Sequence, residues 1–175
     1  MIFVILGESF SGKSTLLNEF EAAGSKRVLS SATRAPREGE VGTYKFISQD
    51  EFKAKIESGE MIEHVMYGGE YYGLCADDID GENSVLLMEP NGFRHLRTLY
   101  PDKVFSIYVN VAYDERKRRA LEVGYSLEEI EARQRADSEL FTPEFMYEVD
   151  CVFNTPDMDD YAVIASMCRT MKSKK

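Results

Sequence analysis

The segment Gly7-Glu8-Ser9-Phe10-Ser11-Gly12-Lys13-Ser14 limits what this chain can fold into, because it lies between the apolar run Ile2-Phe3-Val4-Ile5-Leu6 and a helix-like stretch from Thr15 to Phe20. Glycine, four free positions, glycine, lysine and serine, set between a strand and a helix, form a P-loop in the context that motif needs. The two glycines let the backbone curl so that successive amide N–H groups face phosphate oxygens, and the opening helix adds the positive end of its dipole. Gly7, Glu8, Ser9, Phe10, Ser11, Gly12, Lys13, Ser14 and Thr15 are therefore expected to hold a nucleoside triphosphate. Lys13 would reach the β- and γ-phosphates, and the Ser14 hydroxyl would serve Mg²⁺. A turn that matched by chance would have no reason to carry the strand before it and the helix after it.

The chain has 175 residues, which fits one domain with a full core and a small inserted lobe. Its 31 acidic residues exceed its 21 basic ones and leave a net charge of −10. That balance argues against a nucleic-acid-binding surface, so an anionic substrate must be met by a local basic pocket. The N-terminal apolar run is too short to span a bilayer, no basic segment precedes it, and the P-loop needs it as a strand. No membrane association and a cytoplasmic location are expected. Cys75, Cys151 and Cys168 are far apart, odd in number and without metal-ligand spacing, which reads as reduced, packed thiols. His64 and His95 stand alone, and nothing marks either as a ligand.

Strands alternate with helices along the chain, predicting an α/β fold with a mostly parallel sheet covered on both faces. The first helix is expected from about Ser14 to Ala23, ended by Gly24, and Val28-Leu29-Ser30 reads as a short strand. Ser31 to Gly42 carries arginines, a proline and glycines without apolar period, a loop with chemistry in it. Tyr44 to Ile47 alternates as a strand, and Ser48-Gln49-Asp50-Glu51 opens a helix closed by Gly59. Met61 to Tyr67 and Tyr71-Tyr72 flank Gly68-Gly69, a two-glycine hairpin signal. Further on, Val85 to Met88 and Val104 to Val111 read as strands, and Gly92 to Leu99 and Asp114 to Glu122 as helices. Ser126-Leu127-Glu128-Glu129 is a second capping box, opening a helix to about Leu140. Cys151-Val152-Phe153 is the last expected strand, Tyr161 to Met171 the last helix, and Lys172 to Lys175 a solvated tail.

Ser30-Ser31-Ala32-Thr33-Arg34-Ala35-Pro36-Arg37-Glu38-Gly39-Glu40, followed by Tyr44 and Phe46-Ile47-Ser48, resembles the monophosphate-binding segment of guanylate kinases. Gly59-Glu60-Met61-Ile62-Glu63 and Tyr71-Tyr72-Gly73 are similar to later signatures of that family. The resemblance is close over residues 1 to 75 and looser beyond. It implies a three-layer P-loop NTPase fold with a small β-rich GMP-binding lobe and a helical lid. It also implies transfer of the ATP γ-phosphoryl group to GMP, with dGMP as a further acceptor, and Mg²⁺ as cofactor. The core would comprise about residues 1–30, 76–114 and 141–175, the acceptor lobe 31–75 and the lid 115–140. The state of assembly is left as monomer or homodimer.

Carried over residue by residue, the resemblance places Arg34, Arg37, Tyr44 and Tyr72 on the acceptor phosphate. Arginines can hold a phosphate bidentately and tyrosines add hydroxyl donors. Guanine presents N1–H and an amino group as adjacent donors, which carboxylates accept. Glu63 and Ser30 match family residues that contact the base, and Glu89 stands where the family has an aspartate. Arg116, Arg118, Arg119, Arg133 and Arg135 fall in the suspected lid, where arginines stabilise transition-state charge. Arg133 aligns best with a catalytic arginine and Arg119 next, while the others read as helix-face charges; Glu129 and Arg133 have the spacing of a helical ion pair. Asn154 matches a residue that contacts adenine. Three departures stand out: Leu74 replaces a small hydroxyl residue, Leu87 an acidic one, and Val123-Gly124 the lid's Gly-Arg-Gly. Two other readings stay open, a kinase for another nucleoside monophosphate and a catalytically silent guanylate-kinase-like protein-binding module; intact Lys13 and Ser14 weigh against the second.

Overall fold

The computed structural model describes residues 1–36, 42, 44–79, 83–154 and 160–170, with the Tyr67 and Arg169 side chains excepted. Strand β1 (Ile2–Leu6) is completely buried. Its side chains alternate as a strand demands: Ile2, Val4 and Leu6 join one core cluster, Phe3 and Ile5 another. A strand buried on both faces reads as an unbroken apolar run, and it belongs in the middle of a parallel sheet.

The sheet is built that way. After β1 come α1 (Lys13–Ala22), β2 (Lys26–Arg27) and β3 (Ser31–Ala32), then β4 (Lys45–Phe46), α2 (Gln49–Glu57), β5 (Met61–Tyr67) and β6 (Glu70–Cys75). The chain continues through β7 (Ser84–Leu87), α3 (Pro90–Leu99), β8 (Val104–Asn110), α4 (Tyr113–Glu122), α5 (Leu127–Leu140), β9 (Cys151–Asn154) and α6 (Asp160–Arg169). The central sheet has the order β2-β7-β1-β8-β9 and is parallel throughout. A second sheet, β4-β3-β6-β5, is mixed: β3 runs parallel to β4 and antiparallel to β6, which pairs antiparallel with β5. Ile62 and Leu74 of this sheet enter the core cluster beneath the central one, with Phe93 and Phe145, so the two sheets share packing. Leu16, Phe20 and Tyr161 cover the opposite face.

The strand expected over Val28 to Ser30 is not formed; β2 and β3 flank it instead. Here the chain leaves one sheet for the other: the Val28 amide still donates to Val85 O, while Ser30 O already accepts from Lys45 N. Both Ser caps are present, Ser48 accepting from Glu51 N and Ser126 closing a reciprocal box with Glu129. All three cysteines are free thiols, Cys75 and Cys168 buried. Among the described residues no helix is long and apolar enough to cross a membrane. Met171 and the Lys172 to Lys175 tail lie outside the described residues.

Candidate active site

The P-loop leaves the carboxyl end of β1, the central strand, and its own curl feeds α1. Such crevices beyond strand ends, where strand order switches direction, are where open α/β sheets bind ligands. Gly12 has φ of 96°, and a Cβ there would run into the Tyr161 hydroxyl, so any side chain at the start of α1 would be strained and would have to displace that hydroxyl. Lys13 Nζ donates to Glu8 O at 2.7 Å. Burial pulls its ammonium down to about 8, against the raising influence of the Asp137 carboxylate nearby.

Two clefts of about 520 Å³ open at this point, and among the described residues Lys13 is the one that lines both. The first is walled by Phe10, Gly12, Ser14, Arg119, Glu122 and Val123. The second takes its walls from both sheets: Ser30, Tyr44, Glu63, His64, Tyr72, Leu87, Glu89 and Asn91 are on it. Sequence reasoning thus named five side chains that converge there, Ser30, Tyr44, Glu63, Tyr72 and Glu89. The Tyr44 and Tyr72 rings meet edge to face at 5.8 Å. Arg34 reaches this wall indirectly, its guanidinium 5.3 Å from the Tyr44 ring centre and bonded to Ala35 O at 3.0 Å. Arg37 lies outside the described residues.

Glu63 is the electrostatic centre of the second cleft. A Cβ at residue 92 would overlap its carboxylate, so Gly92 makes room for it against the first turn of α3. Burial pushes the carboxyl up to about 7, and Glu89 across the cleft adds to the rise. Leu74, by contrast, is 1% exposed and packed in the core, whereas Leu87 lines the cleft.

Around the phosphate loop the helices α4 and α5 supply a ring of charge. Arg119 donates to Ser11 O at 3.2 Å and to Glu115 at 2.8 Å. Arg118 faces away, paired with Glu115 and Glu122. The Glu129–Arg133 pair expected from spacing is not made: Glu129 spends its carboxylate on the Ser126 N–H and hydroxyl, and Arg133 lies over the Phe10 and Tyr125 rings. Asn154 ends β9, beside Asn110 of β8, whose amide donates to it at 2.8 Å.

The profile of the family described as guanylate kinase matches residues 1–169. The chain belongs to the guanylate kinase family. It is 33% identical to the guanylate kinase of Thermosynechococcus vestitus over 79% of this chain and 77% of that one. It is 32% identical to that of Rubrobacter xylanophilus, over 82% and 86% of the two chains. The crystal structure of guanylate kinase from Anaplasma phagocytophilum superposes with a TM-score of 0.66 at 24% identity, covering all of this chain and 87% of that one.

Two residues of this guanylate kinase family member meet the phosphate loop in ways the sequence did not announce. Arg116, grouped with the surface arginines from its sequence, is 4% exposed and holds the loop from below. It donates to Val111 O at 3.0 Å, to Ser9 O at 3.4 Å and to Glu8 Oε1 at 2.8 Å. Asp137 accepts the Ser9 amide at 2.7 Å, taking an N–H of the phosphate loop. Nothing local marks the contacts to Ser9 and Glu8, which span more than 100 residues. Glu8→Ala would leave the Arg116 charge buried and unpaired, and is expected to lower unfolding free energy by about 3 kcal/mol in a denaturant titration. A loss below about 0.5 kcal/mol, the range of ordinary surface changes, would show that the two carbonyls alone satisfy Arg116.

Proposed function

We propose that this chain transfers the γ-phosphoryl group of ATP to GMP, and to dGMP, giving ADP and the diphosphate. The observation that carries the reading is the pair of clefts that meet at Lys13: one bordered by the phosphate loop, the other by carboxylates and tyrosines suited to a guanine nucleotide. Residues 31–75 would form the acceptor lobe and 115–140 the lid, on a core of 1–30, 76–114 and 141–175. Gly7 through Thr15 would bind the triphosphate and Asn154 the adenine. Arg34 and Arg37, with the Tyr44 and Tyr72 hydroxyls, would hold the acceptor phosphate, and Ser30, Glu63 and Glu89 the base.

Phosphoryl transfer requires little covalent chemistry of the protein, so positioning and charge carry it. Lys13, on the wall common to both clefts, would stabilise charge as the group moves, and Arg119 and Arg133 would do so from the lid side. The donor set suits Mg²⁺, which takes most of its ligands from phosphates and water. Ser14 offers an exposed hydroxyl on the wall of the first cleft, and no metal-binding cluster of three or more His, Cys, Asp or Glu occurs among the described residues. The Ser14 hydroxyl would hold the ion there, and the chemistry supplied would be neutralisation of phosphate charge.

An ADP-release assay with ATP and Mg²⁺ against GMP, dGMP, IMP, AMP, CMP, UMP and dTMP tests the reading. Turnover should be fastest on the guanine nucleotides. Turnover only on other acceptors would move the assignment to another monophosphate, and silence on all of them would leave a protein-binding module. Cytoplasmic location and the choice between monomer and homodimer remain expectations of the same reading.

Two pH limbs follow. Guanine donors need an ionised Glu63, whose carboxyl burial pushes up to about 7, so acid should weaken GMP. The KM for GMP is expected to climb toward tenfold per pH unit below that point. At the other end Lys13 loses its proton above about 8, whereas phosphates favour the ammonium, so the KM for ATP should rise with alkali. A GMP constant that is flat from pH 8 to pH 5.5 would contradict the first limb.

Asp137 sets a further expectation, because its carboxylate holds an amide that a phosphate oxygen would need. Asp137→Asn removes a negative charge from the triphosphate's path and should lower the KM for ATP about threefold to tenfold at low salt. An unchanged or raised constant would show that the carboxylate does not compete with ATP.

A further inference from the structure

Phe10 stands in the phosphate loop with φ of 63°, one of two non-glycine residues at positive φ among those described. A bulky side chain in that region is an outlier, and such strain persists only where the surroundings require it. What the ring touches explains it. Phe10 meets Tyr125 edge to face, with ring centres 5.0 Å apart. The Arg133 guanidinium lies over both, 5.7 Å from the Phe10 centre and 5.3 Å from the Tyr125 centre. Arg133 is exposed and has no carboxylate within ion-pair distance among the described residues; Glu129, one turn before it, feels its charge but is hydrogen-bonded to Ser126. One turn further along α5, Asp137 holds the Ser9 amide, so the helix meets the phosphate loop at two successive turns.

We infer that Phe10 and Tyr125 form an aromatic clamp that positions Arg133 for phosphoryl transfer, making both rings positioning residues of this enzyme. The inference rests on the proposed role of Arg133. A guanidinium held over aromatic rings spends no N–H donor on a carboxylate, which suits an arginine meant for a phosphoryl group. An arginine held by a carboxylate would have those donors spent. The clamp also ties Tyr125, between α4 and α5, to the loop that holds the nucleotide, so lid and cradle share one contact. Gly124 just before it has φ of 92°, the turn that brings Tyr125 back over the loop.

The test uses Phe10→Gly, Tyr125→Leu, Arg133→Met and the Phe10→Gly/Arg133→Met double variant, each with steady-state kinetics and a thermal melt. Glycine accepts φ of 63° without strain, so Phe10→Gly should fold with an undiminished Tm. Its kcat is expected to fall about tenfold, through misplacement of Arg133, with the KM for GMP within about twofold. Tyr125→Leu, outside the phosphate loop, should act in the same direction. The double variant should be no slower than Arg133→Met alone, because the rings act through that arginine. If Arg133→Met lowers kcat but Phe10→Gly and Tyr125→Leu do not, the clamp is overturned while the arginine keeps its role. If the Phe10→Gly loss adds in full to that of Arg133→Met, the ring merely stiffens the loop, which also overturns the clamp. An unchanged kcat in Arg133→Met removes the role of the arginine and the clamp with it.

Discussion

Lys13→Ala is expected to cut kcat by about 10²-fold or more, the scale of losing one preorganised electrostatic stabiliser. The residue lies on the wall shared by both clefts, so among the described residues its ammonium is the cation that borders both of them. It is held at 2.7 Å by Glu8 O and destabilised by burial, which draws its proton affinity down to about 8. Phosphates would reverse that destabilisation, and a moving phosphoryl group more so, which is why the loss belongs mainly in kcat. Removing a buried cation costs the fold little, so Tm should hold or rise and the kinetic effect stays interpretable. Lys13→Arg should not restore the rate, since a planar fork does not replace a compact ammonium in a cradle shaped for it. Near-normal kcat in folded Lys13→Ala would show that this loop is not where the donor phosphates sit.

What the sequence disclosed follows from the range of each signal. The P-loop, the two Ser caps and the Gly68-Gly69 hairpin are written within a few residues, and all stand in the structure. The side chains of the second cleft were legible for another reason: Ser30, Tyr44, Glu63, Tyr72 and Glu89 sit in a recognisable order along the chain, and the two sheets then bring them together. Arg116 was not legible, because its burial is decided by Glu8 and by loop carbonyls far away in sequence. Asp137 on the Ser9 amide is the same case, an ordinary helix-face acid until α5 is placed. Arg133 failed in the opposite way: its helical partner Glu129 was present at the right spacing, but the Ser126 cap competed for the carboxylate and won. The strain at Phe10 left no trace in the letters, since a backbone angle is set by the loop as a whole. The split of the Val28 to Ser30 segment has a similar origin, since a short run of strand-forming residues shows that a strand is favoured but not which of two sheets will take it.

Base choice is expected to show the widest span of any measurement on this protein. Glu63 is held in the second cleft by the room that Gly92 leaves, with Glu89 near enough to raise its proton affinity. Guanine offers it two adjacent N–H donors, whereas adenine has an acceptor at N1 and no neighbouring amino group. At about pH 8 and above, where Glu63 is ionised, a carboxylate facing that acceptor is left desolvated and unpaired, so a site of this kind rejects the wrong base by about 10⁴-fold in kcat/KM. IMP keeps N1–H but lacks the amino group and should fall between GMP and AMP. Glu63→Gln keeps one acceptor oxygen and loses the charge, so it should weaken GMP more than IMP, and it should flatten the acid limb of the GMP constant because nothing remains to titrate near pH 7. That second effect separates a carboxylate that binds the base from one that only shapes the cleft. In the same titration, Glu89→Gln should retain the acid limb and shift it to lower pH, since Glu89 adds to the raised affinity of Glu63 without causing most of it. Equal kcat/KM for GMP, IMP and AMP in the unmodified protein would remove the guanine-specific reading and leave a kinase of broader acceptor range.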